Sequence, residues 1–205
     1  MYPNYVSSEA VLASENVFFS DHHAKREGFE LTMHPFCRNT VASMDWGGTI
    51  MNRYISKDNK SRHQRYTTDI FEIANAIVSQ ASVQCIAIQP NNLTELPQFE
   101  LDLLKAMPTT WDETKFIEGY PSRYVIMARR TGDDWYVVGL NGTDKPITTT
   151  LLLPEFAGKE VSLYADNAKK KAGEIVASSF LKKVKVGKNG KVKVTMQPLG
   201  GLIIK

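Results

Sequence analysis

The chain has 205 residues, of which 42% are hydrophobic, 10% aromatic and 23% charged, with a formal net charge of +3. This globular composition excludes a disordered or collagen-like chain, and no apolar stretch is long enough to predict a transmembrane helix or, at the first residues, a signal peptide. The length also excludes a complete (β/α)8 barrel, which usually takes about 250 residues.

The first 66 residues are the least regular and hold several candidate polar residues. Glu9 and Glu15 stand six positions apart, which on a regular helix leaves them about 120° from a shared face. Spacing alone therefore favours two solvated carboxylates on either side of a short apolar turn. The adjacent His22 and His23 are expected in a loop.

Asp45 and Trp46, followed by Gly47 and Gly48, allow two interpretations. An aromatic ring beside a carboxylate suits a sugar ring, so the segment could be a substrate-binding loop. It could equally be a tight turn with a packed Trp. The residue pattern leaves these two interpretations open.

Residues 67–107 have the pattern of an α/β layer. Apolar residues at helical spacing predict a helix over residues 67–80, with Asp69 and Glu72 resembling a capping box. A short apolar run predicts a buried strand at residues 83–88, and a second helix is expected from about Pro97 to Met107. Helix, buried strand, loop and helix are typical of an α/β fold.

After Pro108 nearly every segment is typical of strands and turns. Strands are predicted at residues 123–130, 135–140, 151–153, 161–164, 174–177, 182–186, 191–196 and 201–204, with a hairpin turn at residues 187–190. This pattern predicts a small antiparallel β-sandwich. We place the domain boundary between residues 107 and 112, giving an α/β part over residues 1–109 followed by an all-β part over residues 110–205.

The charge and cysteine patterns bear on the class of partner. Residues 159–205 contain eleven lysines and three acidic residues, a net charge of +8. These lysines alternate with valines and have no aromatic residues between them. This pattern favours the wet, solvent-exposed face of a sheet over a surface that binds nucleic acid or another anionic partner. Cys37 and Cys85 are expected to be buried free thiols, although one bridge between them stays open. No spacing predicts a zinc site.

Five blocks along the chain carry a resemblance to a known family. In order they are Tyr2-Pro3-Asn4 with Glu9 and Glu15, His34-Pro35-Phe36-Cys37-Arg38-Asn39 with Met44-Asp45-Trp46, Arg65-Tyr66-Thr67-Thr68-Asp69, Pro108-Thr109-Thr110-Trp111-Asp112-Glu113-Thr114, and Tyr124-Val125-Ile126-Met127-Ala128-Arg129-Arg130. Together they resemble the C-terminal part of glycoside hydrolase family 97, the α-glucosidases and α-galactosidases. The chain departs from that pattern at Ala10, where the family has Gly, and at Ala42-Ser43, where it has Gly-Pro.

The resemblance implies a calcium-dependent glycosidase whose catalytic (β/α)8 barrel precedes a C-terminal β-domain. This chain would then hold the last barrel units and the β-domain. The family's general acid, or acid/base, falls on Glu15, and its calcium ligands fall on Glu9 and Glu15. The partner carboxylate would lie upstream, so we expect no hydrolysis by the isolated chain, and self-association through its exposed barrel edges.

The resemblance also implies an oligosaccharide or α-glycoside substrate and a periplasmic or extracellular location for the parent enzyme. Glycosidases of this kind need one carboxyl group that is protonated near neutral pH and a second carboxylate opposite it. Two other hypotheses are a non-catalytic carbohydrate-binding β-domain protein, which would use the Asp45-Trp46 loop, and a basic nucleic-acid-binding protein. The nucleic-acid-binding protein would show a steep salt dependence of DNA binding.

Overall fold

A computed structural model of the chain describes residues 19–41, 44, 46–54, 56–79, 81, 84–168 and 178–205. The N-terminal part contains helices and one pair of strands. Its elements are α1 (Asp21–Leu31), a 3-10 helix (His34–Phe36), α2 (Arg38–Val41), β1 (Trp46–Ile50), α3 (Asp69–Val78), β2 (Gln84–Ala87), α4 (Asn92–Glu95) and α5 (Gln98–Ala106). In the part of the chain that the structure describes, no helix is long and apolar enough to cross a membrane.

The helix α3 lies at the centre of the N-terminal part. It connects β1 to β2, which pair in parallel with Ile50 opposite Ala87. The predicted helix over residues 67–80 is thus confirmed, and all its residues from Ile70 to Val78 are buried. The predicted capping box at Asp69 is wrong by one position, because the Thr68 side chain caps the helix by accepting a hydrogen bond from Phe71 N–H.

The C-terminal part is the predicted antiparallel β-sandwich. Its strands are β3 (Glu113–Tyr120), β4 (Tyr124–Thr131), β5 (Asp134–Asn141), β6 (Ile147–Leu152), β7 (Glu160–Asp166), β8 (Ser179–Lys185), β9 (Lys191–Met196) and β10 (Gly201–Ile204), with a 3-10 turn at Pro154–Phe156. Six strands form one sheet in the order β3-β4-β5-β10-β7-β8, and β6 pairs with β9 in the other. The strand predicted at residues 174–177 lies outside the described residues.

The predicted hairpin between β8 and β9 is wrong. β8 pairs with β7 in the large sheet, whereas β9 pairs with β6 in the small one, so residues 186–190 cross from one sheet to the other. β9 lies in the small sheet because this position buries Val192 and Val194 between the two sheets, while the lysines around them stay exposed. The prediction of a lysine-rich wet face is therefore confirmed.

Two apolar clusters hold the molecule together. One fills the space between the two sheets, and the other lies between α3 and the opposite face of the large sheet. Glycines permit the close approach on the helical side, since a Cβ on Gly201 would lie 2.4 Å from Ile70 O and one on Gly142 would lie 2.2 Å from Gly28 O. The helical part is thereby packed directly on the β-sandwich.

The prediction of buried cysteines is wrong. Both Cys37 and Cys85 are exposed free thiols. Cys85 lies in β2, a strand predicted to be buried, whose side chains are only partly covered, and Ile88 just beyond it is 37% exposed. Parallel strands are usually covered on both faces, but the described residues cover β2 only in part.

Candidate functional site

The sequence-predicted site residues fall mostly outside what the structure describes. Glu9, Glu15 and Asp45 lie outside the described residues, and of Trp46 only the backbone is described. Trp46 is the first residue of β1, where it pairs with Gln84. The structure therefore does not test whether these four residues meet at one site, and their assignments stay predictions.

The structure does describe a polar cavity at the carboxyl ends of β1 and β2. Its volume is about 320 Å³. It begins at the last strand residues and continues over the two loops that follow them. The lining residues are Ile50, Asn52, Tyr54, Ser56, Lys57, Ala87 and Gln89.

The loop after β1 is folded around Asn59. The Asn59 side-chain oxygen accepts hydrogen bonds from the backbone N–H groups of Arg53, at 2.7 Å, and Tyr54, at 2.8 Å. Its amide nitrogen donates to Glu95 Oε2 in α4 at 3.0 Å. Asn59 has φ +54°, a left-handed conformation that Asn tolerates better than most residues. One side chain thus shapes the first loop and ties it to the second.

A second link joins the loops through Asn52, which is buried on the cavity floor. Its side-chain oxygen accepts hydrogen bonds from the side-chain amides of Asn91, at 2.9 Å, and Asn92, at 2.8 Å. Asn92 in turn accepts from the backbone N–H of Gln89 at 2.8 Å. Because these amides bond to one another, they hold the backbone of the cavity wall in place.

Beneath the cavity lies a buried charge cluster centred on Arg65. Its guanidinium donates to the carbonyl oxygens of Thr67, at 2.8 Å, and Met51, at 3.1 Å, and to the Asp69 carboxylate. Burial alone would lower the pKa of Arg65, but the neighbouring Asp69 and Glu72 carboxylates hold it above its usual range. Burial raises the pKa of the adjacent Glu72, whose carboxylate lies 2.7 Å from the Thr67 hydroxyl. This cluster fixes the residues that lead from the cavity into α3.

The cavity can bind a neutral polar ligand. Tyr54 and Gln89 offer hydroxyl and amide groups, and exposed Lys57 adds an ammonium donor. Among the residues the structure describes, no group of three His, Cys, Asp or Glu residues could hold a metal ion. The hydroxyl, amide and ammonium groups of Tyr54, Gln89 and Lys57 suit hydrogen bonding to the hydroxyl groups of a ligand.

Sequence reasoning did not single out the lining residues Asn52, Tyr54, Lys57 and Gln89. A signal was available for the second loop, where the polar residues Gln89, Asn91 and Asn92 come just after a predicted strand. The first loop gave no such signal, because its charged composition is typical of any exposed loop.

Comparison with known proteins identifies the class of protein. Residues 110–205 match the family model described as Glycosyl-hydrolase 97 C-terminal, oligomerisation. The full chain aligns with a retaining alpha-galactosidase of Bacteroides thetaiotaomicron at 28% identity over 213 residues, covering 100% of the chain and 31% of that protein. The proteins that the chain resembles are therefore glycoside hydrolases.

Solved structures agree with this class. A crystal structure of a beta-arabinopyranosidase superimposes with a TM-score of 0.92 at 46% identity, covering 100% of the chain and 32% of that protein. A Glycoside Hydrolase Family 97 enzyme from Pseudoalteromonas sp. strain K8 has a TM-score of 0.78 at 20% identity, which shows the shared fold. Residues 110–205 thus match the C-terminal domain of glycoside hydrolase family 97, and the whole chain is similar to the C-terminal part of proteins of that family. It spans only about a third of the length of these relatives.

Proposed function

We propose that the chain is the C-terminal portion of a calcium-dependent α-glycosidase and that the cavity at the ends of β1 and β2 forms part of its substrate site. The observation that carries this proposal is the arrangement β1-α3-β2, in which two parallel strands joined by a helix end together in a polar cavity. In (β/α)8 enzymes the substrate binds at the carboxyl ends of the strands. We therefore interpret these strands as the last two of a barrel.

The chemistry that we propose depends on two glutamates. Glu15 would act as general acid (acid/base), protonating the oxygen of the leaving group, while a carboxylate upstream of this chain would act opposite it. Glu9 and Glu15 supply the carboxylate oxygens that a hard cation such as Ca²⁺ prefers, and the bound ion would contribute positive charge near the substrate.

The names of the relatives suggest the substrate class. One is a retaining alpha-galactosidase and another a beta-arabinopyranosidase. An arabinopyranoside is a pentose ring without the exocyclic hydroxymethyl group of a galactopyranoside, so one site could recognise the hydroxyls that both rings share. We propose a terminal α-galactoside, or the corresponding pentopyranoside, as the substrate in preference to an α-glucoside. Tyr54, Lys57 and Gln89 would donate hydrogen bonds to such hydroxyls.

A chimaera tests this function. The C-terminal third of the beta-arabinopyranosidase that aligns with this chain would be replaced by these 205 residues, so that the relative supplies the upstream barrel. We expect the purified chimaera to hydrolyse aryl α-galactosides or aryl arabinopyranosides in the presence of Ca²⁺. On aryl glycosides with poor leaving groups, the Glu15→Gln variant should lose about 10²- to 10⁴-fold in kcat, the usual contribution of a general acid.

The matched control is Glu160→Gln, which removes an exposed carboxylate in the β-sandwich and should leave hydrolysis unchanged. A chimaera that folds, shown by a cooperative melting transition, but cleaves no glycoside would contradict the proposed function. Equal activity of the Glu15→Gln and Glu160→Gln variants would contradict the role of Glu15.

A further inference from the structure

The two sheets of the β-sandwich differ in size. The small sheet has two strands, β6 and β9, whereas the large sheet has six. β9 pairs with β6 on one side, and among the described residues no strand pairs with its other side. On that side a cavity of about 250 Å³ lies between the free edge of β9 and the inner face of β7 and β8.

The floor of this cavity is apolar. Leu163 and Ala165 of β7 belong to the apolar cluster between the sheets, and Phe180 of β8 packs against that cluster. Phe180 stands opposite Ala165, and residues directly opposite each other in an antiparallel pair share a face. A floor with one aromatic ring among aliphatic side chains suits the apolar face of a pyranose ring.

A lysine also lies on this inner face. Lys182 stands opposite Leu163, and its Nζ atom lies 5.0 Å from the centre of the Phe180 ring. Lys193 lines the cavity from β9, and both lysines are exposed. Among the described residues the ion pairs of lysine involve Lys115 alone, so no described carboxylate neutralises either ammonium group.

The acidic residue beside the cavity points away from it. Asp166 follows Ala165 on β7, and successive side chains of a strand point to opposite faces. Its carboxylate accepts hydrogen bonds from the Thr68 hydroxyl and from Gly201 N–H, each at 2.8 Å, on the side of α3. The described lining therefore directs positive charge into the cavity without negative charge beside it.

The hydrogen bonds of β9 show which of its backbone groups face the cavity. Residues of an antiparallel strand alternate between bonding to the neighbouring strand and pointing away from it. Leu153 N–H donates to Gly190 O at 2.7 Å, where the pairing of β6 with β9 ends. Lys191, the next residue, points the other way, and its carbonyl oxygen accepts from Gly187 N–H at 2.9 Å. By this alternation the even-numbered residues of β9 bond to β6, and the odd-numbered residues point to the free edge.

Lys193 and Thr195 therefore direct their backbone N–H and C=O groups into the cavity that they line. The two sets of groups are spaced about 7 Å apart, the distance of two residues along a strand. Asn167 and Gln197 also line the cavity, and a side-chain amide can both donate and accept hydrogen bonds. The cavity thus combines groups that can bond to hydroxyls with ammonium groups that can bind an anion.

We propose that this cavity binds one pyranose ring that carries an anionic substituent, either a carboxylate or a sulfate. Lys182, together with Lys193, binds the anionic group. The free edge of β9 forms hydrogen bonds with the ring hydroxyls, and Phe180 packs against the face of the ring. The proposal does not depend on the glycosidase function.

The size and lining of the cavity favour a sugar over a larger anionic partner. Pockets for drug-sized ligands usually have roughly 300–1,000 Å³, so this smaller cavity holds a single ring. Proteins that bind single-stranded nucleic acid use several aromatic side chains on which successive bases stack. In the described lining Phe180 is the one aromatic residue.

Three sugars test the binding in NMR titrations of the isotope-labelled full chain. They are the methyl glycoside of galacturonic acid, a galactose sulfated on its hydroxymethyl group, and the neutral methyl galactoside. The rings share their hydroxyls and differ in the exocyclic group. We expect at least one anionic sugar to bind about tenfold or more tightly than the neutral one, as for one charge-assisted hydrogen bond. The amide signals of residues 180–182 and 193–195 should shift, and the two anionic sugars distinguish carboxylate from sulfate.

A pair of neighbouring lysines provides the matched variants. Lys182→Gln should weaken binding of the anionic sugar about tenfold, whereas Lys182→Arg, which keeps the charge, should preserve it. Lys183→Gln removes the same charge one residue further along β8, on the opposite face, where the Lys183 ammonium donates to the Ser162 hydroxyl at 2.9 Å. This control should leave binding unchanged, and melting temperatures show that both Gln variants are folded.

A short DNA duplex is the competing probe. If the lysines formed only a basic surface, DNA would bind more tightly than any of the sugars and with a steep salt dependence. Lys182→Gln and Lys183→Gln would then weaken anion binding by the same factor. Either result would overturn the proposal. So would equal affinity for the neutral and anionic sugars, or the absence of binding by all three.

Discussion

At the scale of single residues, Arg129 shows how the two parts of the molecule are joined. It lies in β4 and is 1% exposed, yet its guanidinium donates to Val78 O at the end of α3 and lies 5.9 Å from the centre of the Trp111 ring. Burial lowers its pKa to about 10. Among the described residues no carboxylate pairs with it, so its contribution depends on the helix end and on packing.

We predict that Arg129→Ala lowers the free energy of unfolding by about 2–4 kcal/mol, because it leaves a cavity and removes the donor to Val78 O. Arg129→Met should cost less, since it preserves the packing of the side-chain stem and removes a buried charge that is costly to desolvate. Urea denaturation of both variants measures the difference. Equal losses would show that the stem contributes little.

Two buried carboxyl groups predict a pH dependence of stability. Burial raises the pKa of Asp166 from 3.8 to about 7 and that of Glu100 from 4.5 to about 8. Asp69 and Arg65 face both groups, Asp69 raising and Arg65 lowering their pKa values, and Asp166 also raises that of Glu100. The folded protein therefore holds these two protons more tightly than the unfolded chain does.

The stability that these protons contribute is complete below about pH 4 and is lost as the pH rises through about 7 and 8. We expect the melting temperature to fall between pH 6 and pH 9 for this reason. Asp166→Asn with Glu100→Gln should flatten that fall, because amides have the shape of the protonated acids and do not titrate. Parallel pH profiles of the original and doubly changed proteins would contradict this assignment.

At the scale of elements, the start of α3 is the main joint between the helical and β parts. The Thr68 hydroxyl accepts from Phe71 N–H at 3.0 Å and donates to Asp166 in β7 at 2.8 Å, and the Thr68 N–H donates to Leu199 O at 2.9 Å. One residue thus caps the helix and connects it to the sandwich.

We predict that Thr68→Ala lowers the free energy of unfolding by about 1–2 kcal/mol, because the helix loses its cap and Asp166 loses a donor. Thr68→Ser retains the hydroxyl and should recover most of this loss. Thermal melts of the two variants at one pH measure the effect. A Ser variant as unstable as the Ala variant would show that the methyl group matters rather than the hydroxyl.

Elements with strong local signals were predictable from the sequence. The apolar spacing placed α3, and the turn residues placed most strands of the sandwich, although β3 was not predicted as a strand. The pairing of β8 was not predictable, because a short Gly- and Asn-containing loop is compatible both with a hairpin and with a crossing between sheets. The exposure of Cys85 was not predicted, because an apolar run predicts a buried strand. It does so whether or not the residues that would cover the strand belong to the same chain.

The candidate site was predictable only in part. Its position after β2 follows from polar residues at the end of an apolar strand. The loop after β1 was not predictable, since it is held by a left-handed Asn59 and by contacts with Glu95, 36 positions away in the sequence. Contacts between distant loops leave no pattern in composition or spacing.

At the scale of the whole molecule, the described strands of the β-sandwich form two packed sheets, while β1 and β2 form only a pair within the described part of the chain. Ile88 and Leu93 beside that pair are exposed. We predict that the purified chain hydrolyses no aryl α-galactoside or α-glucoside, because under the proposed function the carboxylate opposite Glu15 is supplied by the barrel upstream of this chain. A discontinuous assay with prolonged incubation checks this, and robust turnover by the 205-residue chain alone would contradict it.

The central claim is that these 205 residues supply the general acid of a family 97 α-glycosidase. It is tested most directly by comparing kcat/KM of the chimaera and its Glu15→Gln variant across aryl glycosides whose leaving groups differ in pKa. If Glu15 protonates the leaving group, the loss should be small for acidic phenols and rise steeply for poor leaving groups. The same loss for every leaving group, or no loss, would contradict the account.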